Sequence, residues 1–193
     1  MKKKNKVEVY DDSWMYILLL TTLVILIESL RTYTFTLNGV EITYSVLLLP
    51  VIFLITNYIT KKYDYKKSLV AISVSGVSVV LFVFLMNFAI GKPMDLSLIS
   101  GQFCGYITSQ FMNLMIYTFL LNNTKSPIFL IFLNYLFSLI VFYMFYTLIY
   151  LDMIILEEFW VGYFTVLSIQ AFLCIFLAYI DKNISRGQDK IEK

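Results

Sequence analysis

Residues 99–119, ISGQFCGYITSQFMNLMIYTF, carry three side-chain amides in an otherwise apolar, uncharged stretch. At helical spacing Gln102, Tyr106, Ser109, Asn113 and Tyr117 share one stripe, and Gln110 adjoins it. An amide offers paired donors and acceptors, and away from water each must find partners. Two readings stand side by side: a site that reads the polar edges of a small substrate, or amides acting as glue between helices. Gly101, Gly105 and Ser109 recur every four residues on an overlapping face and favour close helix packing. Asn57 poses the same question, two turns after Pro50, whose ring frees a backbone carbonyl one turn earlier. Such breaks often border a cavity in membrane proteins. Asn134 with Ser138, and Gln170 with Ser168, are further polar positions, each by itself a packing contact. Glu28 and Arg31, spaced i and i+3, suit an intrahelical ion pair, with a proton-coupling carboxylate as the sharper alternative.

Other chemistries lack their residues. The chain has no histidine, no C-x-x-C and no acidic cluster at ligand spacing, which argues against a transition-metal site. Its seven glycines form no phosphate-binding loop, so no nucleotide cofactor is expected. No nucleophile–base pair stands out, which argues against an enzyme. Cys104 and Cys174 read as buried free thiols. The expected partners are a small molecule and the lipid bilayer, with no nucleic acid.

The elements that must position these side chains follow from hydropathy. The residues are 60% hydrophobic and 15% charged, with a mean hydropathy of +0.79, too little polar surface for a water-soluble domain. Charges cluster and leave long uncharged runs. A helix crossing about 30 Å of hydrocarbon needs about 20 apolar residues. The runs predict an all-α bundle, a polytopic integral membrane protein with six spans near 14–31, 43–60, 68–90, 98–121, 127–150 and 158–180. Residues 1–13 and 181–193 are charged tails, and the whole is one domain. With the N-terminus inside, Lys2, Lys3, Lys4, Lys6, Lys61, Lys62, Lys66, Lys67, Lys125, Lys182, Arg186, Lys190 and Lys193 share one side, and only Arg31 and Lys92 face the other. The positive-inside rule then places both termini in the cytoplasm, with Asp152, Glu157 and Glu158 outside. The first span has no small-residue cleavage site before Glu28 and is expected to be retained.

The segment LLLPVIFLITNYITKKYDYKKSLVAI, together with the 99–119 stretch, resembles the putative vitamin uptake transporter family, also called queuosine precursor transporters. The resemblance rests on Leu49-Pro50, Ile55-Thr56-Asn57, Thr60-Lys61, Tyr63-Asp64 and Ser109-Gln110 with Asn113, and covers about 75 residues. Two family aspartates are Asn57 and Asn113 here. Lys61 stands where the family has an acid, Asp64 where it has a glycine, and span 6 lacks the family's lysine and threonine-proline step. The resemblance implies import of a 7-deazaguanine across a bacterial cytoplasmic membrane, facilitated or ion-coupled. Asn57, Gln110 and Asn113 would read the base, with Ser109, Gln102, Asn134 and Gln170 as further candidates. Two alternatives are a substrate-binding subunit of an energy-coupling-factor importer and a non-transporting accessory protein.

Overall fold

The computed structural model describes residues 12–37, 40–91, 96–121, 128–150 and 156–191, with side chains described except at 40–41, 97–98, 148–150, 156–163 and 184–191. Lys2, Lys3, Lys4, Lys6, Lys92, Lys125, Asp152 and Lys193 lie outside the described residues, as do the side chains of Glu157, Glu158, Arg186 and Lys190. Among the described residues there are six helices: α1 (Ser13–Ser29), α2 (Ser45–Lys62), α3 (Tyr65–Ile90), α4 (Leu96–Leu121), α5 (Ile128–Tyr150) and α6 (Leu156–Ile191). The all-α bundle read from hydropathy is therefore present. Five of the helices are long and apolar enough to cross a membrane. The exception, α4, is as long as α3, but Ser100, Gln102, Thr108, Ser109, Gln110 and Asn113 lower its hydropathy.

The outer surface shows what solvent the bundle is built for. Phe88, Phe172, Phe119 and Phe164 are 80%, 76%, 68% and 66% exposed, and dozens of other large apolar side chains are exposed with them. Water would penalise such a belt heavily, whereas lipid does not. The chain is a multi-pass membrane protein.

Local signals explain the helix ends. Asp64 accepts a hydrogen bond from the Lys67 backbone N–H at 2.7 Å and so caps α3. The four-lysine hinge is thereby only Tyr63 and Asp64 wide. Gly91 closes α3 at φ +69°, a left-handed conformation that glycine adopts without penalty. Helices α4 and α5 share the most extensive contact. At its centre a Cβ built on Gly105 would sit 2.9 Å from the Phe142 carbonyl oxygen, so the glycine permits the backbones to meet.

Two boundaries differ from the sequence expectation. Between α1 and α2 the chain forms an antiparallel hairpin, β1 (Thr34–Leu37) with β2 (Val40–Thr43), registered Thr34↔Thr43 and Leu37↔Val40. Asn38-Gly39, the dipeptide between the strands, favours such a two-residue connection. A membrane-length window passes over this hairpin because it is too short and polar to register. The second difference is in α6. The expected span ends at 180 and gives Asp181 to a charged tail, but the helix runs on unbroken to Ile191 and Asp181 is 4% exposed. The charge alone suggested an end, but Asp181 finds buried partners on α2, α4 and α5 and the helix continues past it.

Candidate functional site

The polar side chains gather around the half of the bundle that carries the Tyr63–Asp64 hinge. Asn134 on α5 donates from Nδ2 to Asn113 Oδ1 at 2.8 Å. Asn113 on α4 donates from Nδ2 to Asn57 Oδ1, also at 2.8 Å. Asn57 on α2 donates from Nδ2 to Asp181 Oδ2 at 3.1 Å and to Tyr135 Oη at 3.2 Å. Tyr135 donates to Asp181 Oδ2 at 2.7 Å, and Tyr117 donates to Asp181 Oδ1 at 3.0 Å. The result is a directed chain from α5 through α4 and α2 to a carboxylate on α6. Lys61 adds a favourable charge to Asp181 at longer range. Asp181 is an acceptor when ionised, so it dictates which way Asn57, and through it Asn113 and Asn134, must point.

This cluster is buried. Asn57 and Asn113 are fully buried and Asn134 is 1% exposed. Beside it Thr56 donates to Gln110 Oε1 at 2.9 Å, while Gln110 Nε2 and Asn134 Oδ1 are buried without a hydrogen-bond partner among the described residues. An orphaned buried polar atom costs about 1–3 kcal/mol.

Pro50 has no N–H, so the Val46 carbonyl loses its partner within α2. Gln170 of α6 supplies one, donating from Nε2 to Val46 O at 2.9 Å. The proline break and the mid-membrane amide are thus two halves of one contact.

The half that carries the hairpin holds a cavity of about 440 Å³. Val24, Ile27, Leu49, Ile52 and Val79 are among its apolar lining, and Phe103, Tyr106, Phe142, Tyr143 and Tyr146 its aromatic lining. Gln102 and the Glu28–Arg31 pair are its strongest polar groups, with Arg31 Nη1 3.1 Å from Glu28 Oε1. Burial around this pair is partial, and such pairs position side chains more than they stabilise. The Thr56–Gln110 contact beside the cluster is one helical turn from the cavity lining on two helices, Ile52 to Thr56 and Tyr106 to Gln110, or about 5.4 Å.

Of the residues singled out from sequence, Asn57, Asn113 and Asn134 converge on one chain and Gln110 adjoins it through Thr56. Gln102, Glu28 and Arg31 line the cavity instead, and the expected ion pair is present. Ser109 turns back to the Tyr106 carbonyl at 2.9 Å and Ser138 to that of Asn134 at 2.8 Å. Gln170 serves the Val46 carbonyl. Cys104 and Cys174 are free thiols. Asp181 is the residue that sequence reasoning missed, together with one of its tyrosine donors, Tyr135; the other, Tyr117, lies on the stripe read from sequence. The signal of Asp181 lay in position, since it directly follows the uncharged run 159–180 with Lys182 as the next residue.

At the hinge end of the bundle the start of α1 is tied to the end of α2. Lys62 Nζ lies 2.9 Å from Asp12 Oδ2 and stacks over the rings of Tyr16 and Tyr63 at 4.8 and 5.0 Å. The Tyr63 hydroxyl also donates to Asp12. The hydrogen-bonded Lys62 ammonium holds the Asp12 carboxyl below the usual carboxylate range, with Tyr63 assisting.

Comparison with protein-family models, with curated proteins and with solved structures finds no match for this chain.

Proposed function

We propose that the protein is a membrane carrier that takes a small, planar, polar solute into a bacterial cell across its cytoplasmic membrane. The cavity of about 440 Å³ carries this reading. Its size falls in the range of about 300–1,000 Å³ common for small-molecule sites, and its make-up is that of a site for a flat heterocycle: aromatic faces for stacking, an amide at Gln102 and an ion pair at Glu28–Arg31 for polar edges. The resemblance described above narrows the solute class to 7-deazaguanine precursors of queuosine. In this reading the lysine-rich hinge faces the cytoplasm, and the Asp12–Lys62–Tyr16–Tyr63 contacts close the cytoplasmic end while the cavity receives solute from outside. With no phosphate-binding loop in the sequence, transport is facilitated or ion-coupled.

The test is uptake of labelled 7-deazaguanines by a precursor-dependent strain expressing the chain. Uptake above background, reduced about tenfold by Gln102→Leu at equal membrane levels, is expected from the loss of one buried substrate hydrogen bond. No uptake by the wild type, or uptake indifferent to both Gln102→Leu and Glu28→Gln, refutes the reading.

A further inference from the structure

Asp181 is not among the residues that line the cavity, and donors from three helices converge on it. Three hydroxyl or amide donors from three different helices point at its two oxygens: Asn57 from α2, Tyr117 from α4 and Tyr135 from α5. Lys61 on α2 is the cation acting on it, and on its own helix Lys182 follows it. The amides behind Asn57 are all oriented by this one carboxylate, and the far end of the chain, Asn134 Oδ1, is buried without a partner among the described residues.

We propose that Asp181 is a proton-binding site, and that a bound proton reverses the Asn57–Asn113–Asn134 chain. Protonated at Oδ2, Asp181 becomes a donor and Asn57 must present Oδ1 to it. Asn57 Nδ2 then faces Asn113, which turns to offer its own Oδ1. Asn113 Nδ2 in turn faces Asn134, which rotates so that the Oδ1 now lacking a partner accepts. The oxygen and nitrogen of an amide are nearly the same size, so each rotation keeps the packing while reversing the side-chain bonds between the asparagines; the 3.4 Å contact from Asn134 Nδ2 to the Asn113 backbone carbonyl, which can only accept, is given up. The Tyr135 hydroxyl can donate or accept and follows the carboxyl. The proton comes from water and returns to water, adding one O–H bond to Asp181 and forming or breaking no bond between heavy atoms. Four helices, α2, α4, α5 and α6, thereby register a single protonation, and along α2 and α4 the chain's Asn57 and Asn113 lie roughly 7.5 and 10.5 Å from the cavity-lining Ile52 and Tyr106. If the chain is a carrier, as proposed above, Asp181 is where a proton gradient would couple to the solute site; the proton site itself does not depend on that reading.

The experiment is infrared difference spectroscopy of the full-length protein in lipid nanodiscs as pH is lowered. The expected result is a protonated-carboxyl C=O band that shifts when aspartate is labelled with heavy carbon, disappears in Asp181→Asn and survives in Glu28→Gln. Side-chain amide bands should change with it in the wild type and stay fixed in Asn113→Leu. Isotope labelling keeps the test valid if Asp181→Asn does not fold, and Tyr135→Phe, which removes one donor, should then displace the band. Absence of any aspartate band over the pH range where the protein stays folded overturns the site; amide bands that do not follow the carboxyl overturn the reversal. Proton dependence of 7-deazaguanine uptake separates this inference from the carrier reading. Uptake that ignores both external pH and Asp181→Asn removes the coupling role and leaves the carrier. A titrating Asp181 band without uptake upholds the proton site while the carrier reading falls.

Discussion

The two halves of the bundle solve opposite problems with the same residue types. In the hinge half, amides, hydroxyls and one carboxylate are buried and bonded to one another. In the hairpin half, Gln102 and the Glu28–Arg31 pair face a cavity whose other walls are mostly apolar or aromatic. The first arrangement is sensitive to which atoms donate and which accept; the second leaves its polar groups available to something that enters. An amide is therefore structural or receptive according to what surrounds it, and no property of the amide alone separates the cases.

The sharpest way to break this contrast is to remove one link from each half. Asn57→Leu takes a donor from Asp181 and Tyr135 and an acceptor from Asn113, leaving several buried groups short of partners. A loss on the order of 3 kcal/mol is expected in thermal unfolding in detergent. Gln102→Leu at the cavity should stay within about 0.5 kcal/mol while reducing uptake. Equal losses would show that the halves do not differ.

Gly105→Ala is the next largest. The added methyl meets the Phe142 carbonyl oxygen at 2.9 Å, and overpacking of about 1–3 kcal/mol should exceed the gain in helix propensity of about 1 kcal/mol. A thermal midpoint at or above that of the wild type would show that α4 and α5 can separate at no cost.

Gln170→Leu should cost about 1 kcal/mol by stranding the Val46 carbonyl. In a Pro50→Ala background the restored N–H of residue 50 supplies that carbonyl with a partner, so the same change should cost little. Additive effects in the double-mutant cycle would separate the proline from the amide.

The smallest expected effect lies at the exposed latch. Asp12 has its carboxyl depressed by the Lys62 hydrogen bond, so the folded protein holds the charged form more strongly than the unfolded chain with its ordinary value of 3.8. The contribution is present above that value and is lost as pH falls through the lowered one. The wild-type thermal midpoint should fall through this acid window more steeply than that of Asp12→Asn. Parallel curves would mean that the latch adds nothing.

Much of the architecture was legible in the residues. Uncharged runs of membrane length yield six helices, with ends within a few residues of those found for α2, α4 and α5, because hydropathy and backbone satisfaction act locally. The hairpin was not read from the sequence, although Asn38-Gly39 between short polar-apolar alternations is its signal, because over the length of a span that signal averages away. The stripe on α4 was correctly seen as one polar face, yet it serves two purposes: Gln102 and Tyr106 border the cavity, whereas Asn113 joins the chain to Asp181. The periodicity of one helix cannot reveal that division, since it depends on what the neighbouring helices bring to each level.

The sequence by itself determined that this is a helical membrane protein, which segments are helical and that amides must be satisfied away from water. Composition and periodicity are properties of the chain taken a few turns at a time. Only the tertiary structure decided that Asp181 belongs to the core, that Gln170 answers Pro50 and that three asparagines align toward one carboxylate. Asn57 and Asp181 are 124 positions apart, as are Val46 and Gln170. A hydrogen bond depends on atoms meeting within about 3 Å at a favourable angle, and that meeting is set by how helices pack.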